Sequence, residues 1–109
     1  MSLKNAIREK LELATRAAYI EELDATVYST PLSAGDAATL QKRHPNFPLN
    51  MSPEAMVDLV ILKSLEKDGS KAFDLEDKPI LLKWDLGVIS SITAAIIGGV
   101  VTIEDAEKN

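Results

Sequence analysis

The side chains that could carry chemistry are few. His44 is the only histidine and there is no cysteine, so thiolate zinc sites, iron–sulfur clusters, disulfides and thiol catalysis are excluded. A proton-shuttling His44 needs a carboxylate or nucleophile close in space; placed before Pro45 at a helix end, it reads as a surface turn residue. Asp74, Glu76 and Asp77 have the residue types of half a magnesium or two-carboxylate site. Acids also gather at helix N-termini for dipole reasons, and that accounts for all three. Asp68-Gly69 has the outline of a calcium loop. With Gly69 at its sixth position, Ser64 falls first and Leu75 twelfth, so the first ligand and the bidentate acid are missing. Gly98-Gly99 lacks the flanking pattern of a phosphate-cradling loop and reads as a helix stop. The residues point away from an enzyme, a metal site or a bound cofactor.

The elements that must position these residues follow from periodicity and punctuation. Leu3, Ile7, Leu11 and Ala14 recur at helical spacing behind Ser2, which predicts an N-terminal helix within residues 1–14. Two β-prone runs around Leu23-Asp24-Ala25 predict a two-stranded hairpin over residues 17–30, with Tyr19 and Tyr28 as candidates for cross-strand contact. A helical body spans 33–98 and a tail 99–109, within a single domain of 109 residues. In that body Ser33 or Asp36 caps a helix running to about Arg43, and residues 44–52 read as a loop. Ser52-Pro53-Glu54 starts a helix whose stripe Val57, Val60, Ile61 and Leu65 runs up to Lys67, with Gly69 as its stop. Asp74 caps a helix carrying Ile80, Leu81 and Trp84, and Asp85 caps a last one, Leu86 to Ile97. The fold class is therefore α+β, mainly helical, with four to five helices and one small hairpin. Core candidates are Ile7, Leu11, Leu40, Val57, Val60, Ile61, Leu65, Phe73, Leu81, Trp84, Ile89 and Ile92.

Charge narrows the partners. The net charge is −5, which disfavours binding to nucleic acid through phosphate contacts. Residues 1–50 balance six basic against six acidic side chains, whereas residues 51–109 carry six and eleven. No secretory signal is visible, because Glu9 and Glu12 interrupt where an apolar run should begin. The stretch 86–103 holds 18 residues without a charge, the lower edge of what spans a bilayer. Its glycines, serines and threonines and its acidic flanks favour a buried or partner-covered helix over a membrane span.

Ile89, Ile92 and Ile96 share one face of the last helix, and Val88 and Val100 widen the apolar surface beyond one stripe. Two readings stay open for these five residues: a central helix covered by the rest of the domain, or an interface with a second copy or a partner.

The order of features resembles the tail assembly chaperones of long-tailed bacteriophages and prophages. The resemblance rests on Met1-Ser2-Leu3-Lys4 opening a short helix and on a hairpin ending in Thr26-Val27-Tyr28-Ser29-Thr30-Pro31-Leu32-Ser33. Lys67-Asp68-Gly69-Ser70, Ala72-Phe73-Asp74-Leu75-Glu76-Asp77 and an isoleucine-rich final helix complete it. Leu23-Asp24-Ala25 stands where that family often has an aromatic-glycine turn, and Ser29-Thr30 where it often has an arginine. The resemblance implies a non-enzymatic protein of the bacterial host cytoplasm that binds and solubilises the tape measure protein until tail-tube protein polymerises around it. It further implies a homo-oligomer, and a second, longer product made by frameshifting. Glu107-Lys108-Asn109 permits the codons of a −1 slip site, A AAA AAC or A AAA AAT. The rival classes are a generic acidic helical protein–protein adaptor and a small membrane-associated protein using residues 86–103.

Overall fold

The computed structural model describes residues 2–12 and 15–97. Among them are five helices and one two-stranded antiparallel hairpin, an α+β and mainly helical fold as the pattern predicts. Helix α1 (Leu3–Glu12) is capped by Ser2, whose Oγ accepts a hydrogen bond from the Asn5 N–H at 3.2 Å. Strands β1 (Arg16–Ile20) and β2 (Ala25–Ser29) follow, joined by a 3₁₀ turn (Glu21–Leu23) and by Asp24 in the left-handed region at φ 49°. Aspartate tolerates that conformation, and here Tyr19 Oη donates to its carboxylate at 2.5 Å. The register sets Tyr19 opposite Thr26 and Tyr28 opposite Ala17, so the two tyrosines are diagonal neighbours rather than a facing pair.

Helix α2 (Ala34–Gln41) opens with Ser33 and Asp36 acting together, since each side chain accepts from the other's backbone N–H at 3.0 Å. Helix α3 (Pro53–Lys63) starts as its sequence predicts, with Ser52 Oγ accepting from the Ala55 N–H and Pro53 in the first turn. It buries Ala55, Val57, Leu59, Val60, Ile61 and Lys63, on nearly every side, which makes it the central element. Helix α5 (Leu86–Ile97) packs on α3 and on β1. Among the described residues a buried cluster draws on Ile20, Leu40, Phe47, α3, Leu81, Ile89, Ile92 and Ile96.

Several expectations are corrected. Helix α3 stops at Lys63 rather than Lys67, because Ser64 turns extended (φ −73°, ψ 133°) and Leu65 exchanges backbone hydrogen bonds with Tyr28, at 2.7 and 3.3 Å. Leu65 is thereby half-buried beside the hairpin, not part of a helical stripe. Gly69, at φ 90°, serves a tight turn and not a helix end, with Asp68 Oδ1 accepting from the Ser70 N–H and Oγ. The expected helix after Asp74 is divided into a 3₁₀ turn (Leu75–Asp77) and the four-residue α4 (Lys78–Leu81). Beyond α4 the backbone tightens to i→i+3 bonds, Lys83 to Ile80 and Trp84 to Leu81, so Trp84 lies outside any helix.

Among the core candidates, Leu40, Val57, Val60, Ile61, Leu81, Ile89 and Ile92 are buried, and Phe73 packs against their edge. Ile7 and Trp84 are exposed instead; Trp84 meets Phe73 edge-on, with ring centroids 6.4 Å apart. The side chain of Leu11 lies outside the described residues.

Candidate functional site

Ile89, Ile92 and Ile96 form the face of α5 that packs on α3, and all three are buried within the chain. They are core in the folded protein and present no surface to a partner. Val88 is half-buried against the same cluster. Val100 lies outside the described residues, as do Gly98-Gly99 and Glu107-Lys108-Asn109. Among the described residues no helix is long and apolar enough to cross a membrane, and no three His, Asp or Glu side chains are grouped to hold a metal ion.

A concavity lies elsewhere among the described residues. A groove of about 710 Å³ runs between α2, α3 and the segment before α4. Leu40, Ile61 and Leu62 give it apolar walls, and Leu75 stands at its lip, 74% exposed. Asp74 and Glu76 flank Leu75 on that lip, while Arg43, His44 and Lys71 also line the groove.

Two polar clusters position these walls. At one end of α2, Asp36 accepts from Lys63 Nζ at 2.7 Å, and the same amine donates to Thr30 Oγ1 at 2.8 Å. Partial burial disfavours the Asp36 charge, but the Lys63 and Ser33 hydrogen bonds outweigh it and hold the carboxyl below its ordinary range. The buried ammonium is thus paired, as burial requires. This joint fastens the first turn of α2 to the last residue of α3.

At the other end, Phe47 is buried and ties down the loop after α2. Its N–H donates to the His44 carbonyl at 2.8 Å and its own carbonyl accepts from Gln41 Nε2 at 2.8 Å; the Phe47–Pro48 peptide is cis. This places His44 Nε2 at 2.7 Å from Asp58 Oδ2 on α3. Lys78 Nζ, from α4, donates to Asp58 Oδ1 at 2.9 Å and to Glu54 Oε2 at 2.8 Å. Arg43 Nη1 reaches Asp58 Oδ2 only at 3.7 Å from an exposed position and adds little. Partial burial opposes ionisation of Asp58, yet its bonds from His44 and Lys78 prevail and lower its pKa. The hydrogen bond from Lys78, with its charge, likewise lowers Glu54, and Glu54 and Asp58 in turn raise Lys78.

His44 is therefore not a surface turn residue: its side chain is largely buried and bonded to a carboxylate fourteen positions on. The pairing has the outline of a histidine–aspartate dyad and ties the end of α2 to α3. Both Asp58 oxygens are occupied, and the hydroxyl lining the groove, Thr39 Oγ1, donates to the Gly35 carbonyl of its own helix at 3.1 Å. The dyad acts as a strut joining α2, α3 and α4. One sequence signal could have located it: Asp58 interrupts the most apolar part of α3, and a carboxylate there requires partners. No protein-family model matches the chain, and no curated protein or solved structure is significantly similar to it.

Proposed function

We propose that the chain is a non-enzymatic assembly chaperone of long-tailed bacteriophage tails, working in the bacterial cytoplasm, that binds the tape measure protein and keeps it soluble before tail-tube protein encloses it. The observation that carries this reading is the groove between α2 and α3: apolar walls with charged lips, braced at both ends by ion pairs. Such a groove fits apolar residues spaced along one face of a client helix, the mode by which amphipathic helices are commonly captured. The order of features that resembles tail assembly chaperones then supplies the client's identity. With the α5 isoleucines committed to the core, the client surface moves from α5 to this groove.

The test is co-expression with the long helical open reading frame expected beside the gene. The proposal expects that product to be soluble and to co-purify with the wild-type chain, and to be lost from the soluble fraction with Leu75→Lys. Equal insolubility with and without the chain overturns the reading. A generic adaptor would share the groove, but not a neighbouring tail-tube gene upstream, nor an open −1 frame continuing past Asn109.

A further inference from the structure

Strand β1 has one paired edge and one open edge. Tyr28 of β2 uses its N–H and C=O on Leu65, on the side away from β1. Ala17↔Tyr28 and Tyr19↔Thr26 are therefore the pairs of the hairpin that exchange no hydrogen bonds, and the ladder runs through Arg16, Ala18 and Ile20. The N–H and C=O groups of Ala17 and Tyr19 accordingly point outward, and among the described residues none of them has a partner. Such an edge is a template for a further strand, and Arg16–Ile20 contains no proline or lysine to blunt it.

Beside that edge lies a cleft of about 470 Å³ between β1 and α5. Small side chains leave room in it: Ala18 on the strand faces Ala94 and Ala95 on the helix. The charged residues of its lining are Glu21 and Glu22, both exposed. Ser91 Oγ donates to Glu22 Oε2 at 3.2 Å, a neutral contact that leaves the charge uncompensated. Arg16 stands at the opposite end of the strand and is not part of the lining. The cleft thus carries charge of one sign, unlike the α2–α3 groove, where Arg43 and Lys71 stand among Asp74 and Glu76.

We propose that β1 takes up an extended, cationic segment of a partner protein as a third strand. The segment bonds through its backbone to Ala17 and Tyr19 and turns alternate apolar side chains into the cleft against Ala18, Ala94 and Ala95. Antiparallel addition is the slightly more stable pairing, and it sets the N-terminal end of the segment, with its lysines or arginines, beside Glu21 and Glu22. Main-chain bonds then supply affinity, while the cleft and the two acids supply selectivity. The site belongs to the hairpin and α5, so it is independent of the client proposed for the α2–α3 groove.

Nuclear magnetic resonance of the full chain tests this with the hexapeptide Lys-Lys-Val-Thr-Val-Thr, whose valines face the cleft and whose threonines lie opposite Ala17 and Tyr19. Saturable shifts of the Ala17 and Tyr19 amides are expected, with slowed hydrogen exchange. N-methylation of the two threonines should abolish binding, and N-methylation of the two valines should spare it, because only the threonine amides face β1. Replacing both lysines by glutamate should weaken binding about tenfold, as two exposed ion pairs require. Glu21→Lys with Glu22→Lys, which alters only exposed positions, should reverse that preference with unchanged circular dichroism. Unmoved Ala17 and Tyr19 amides, equal binding of both methylated peptides, or no preference between the lysine and glutamate peptides overturns the proposal. So does protection of those two amides in the chain alone, which would mean that a second copy or another part of the chain already covers the edge.

Discussion

Helices α1 and α3 have nearly the same length, ten and eleven residues, and opposite sequence character. Helix α1 has the cleaner division between an apolar and a charged face, yet its Leu3 and Ile7 stand in solvent. Helix α3 is apolar almost all round, and it is the centre of the molecule. The contrast teaches what amphipathicity reports. A stripe says that one face wants covering and is silent about what covers it; a helix without a polar face must be enclosed by its own chain.

The sharpest way to break that comparison is to remove the same side chain from both helices. Leu59, wholly buried on α3, becomes a cavity in Leu59→Ala and should cost about 2–5 kcal/mol. Leu3→Ala should move monomer stability by no more than about 0.5 kcal/mol. Urea denaturation at low protein concentration, where self-association contributes nothing, measures both. Equal losses at the two positions would mean that α1 is packed on the core after all.

The next effect concerns the one carboxylate set into the apolar helix. Asp58→Asn leaves His44 without its anionic partner and Lys78 with Glu54 alone, and should cost about 1–3 kcal/mol at neutral pH. It should also change the acid limb of the stability curve. Asp58 and Asp36 both titrate below their ordinary value of 3.8 when folded. As pH falls the unfolded chain therefore takes up protons first, and stability declines from roughly pH 5 downward until both native carboxyls are protonated. In Asp58→Asn that decline should be shallower, with the Asp36 share remaining. Urea midpoints between pH 3 and pH 7 give both quantities, and an unchanged slope would show that Asp58 does not contribute to it.

What could be read from the sequence divides along the same line. Local chemistry was legible: Ser33, Ser52, Asp74 and Asp85 cap where capping chemistry puts them, and α5 runs from Leu86 to Ile97 as its pattern requires. Long-range choices were not. The end of α3 is set by Tyr28, thirty-seven positions before Leu65, which draws Leu65 into a backbone bridge. The His44–Asp58 strut joins two elements through a loop whose path depends on burying Phe47. The isoleucines of α5 left core and interface equally open, because an apolar face carries no mark of whose apolar face will meet it. The groove escaped notice for a related reason: Leu40, Ile61 and Leu75 share a surface only once three separate segments are packed.

A smaller effect tests the legible part. Ser33→Ala removes one half of the reciprocal cap on α2 and leaves the Asp36 N–H without its acceptor. It should cost about 1 kcal/mol by urea denaturation. The loss should be partial, because Lys63 still holds Asp36 from α3.

The same substitution at the other end of the α2–α3 joint should have the opposite sign. Ser64 follows directly after α3, is wholly enclosed, and its Oγ has no hydrogen-bond partner among the described residues. Its backbone remains useful, since its N–H donates to the Val60 carbonyl and its carbonyl accepts from the Ala72 N–H, both at 3.0 Å. The hydroxyl therefore suffers desolvation with no compensating bond, and that penalty is lifted in Ser64→Ala. Against this stands the loss of one oxygen's packing, a volume much smaller than the methylenes deleted from a leucine. The balance should leave Ser64→Ala between neutral and about 1 kcal/mol more stable, with no change in the slope of the urea transition. Ser64→Val, which fills the space without a donor, should not exceed that gain unless the enclosure has room for a second methyl group. A clear loss of stability in Ser64→Ala would mean that the hydroxyl has a partner in solution, such as an enclosed water molecule bonded to it.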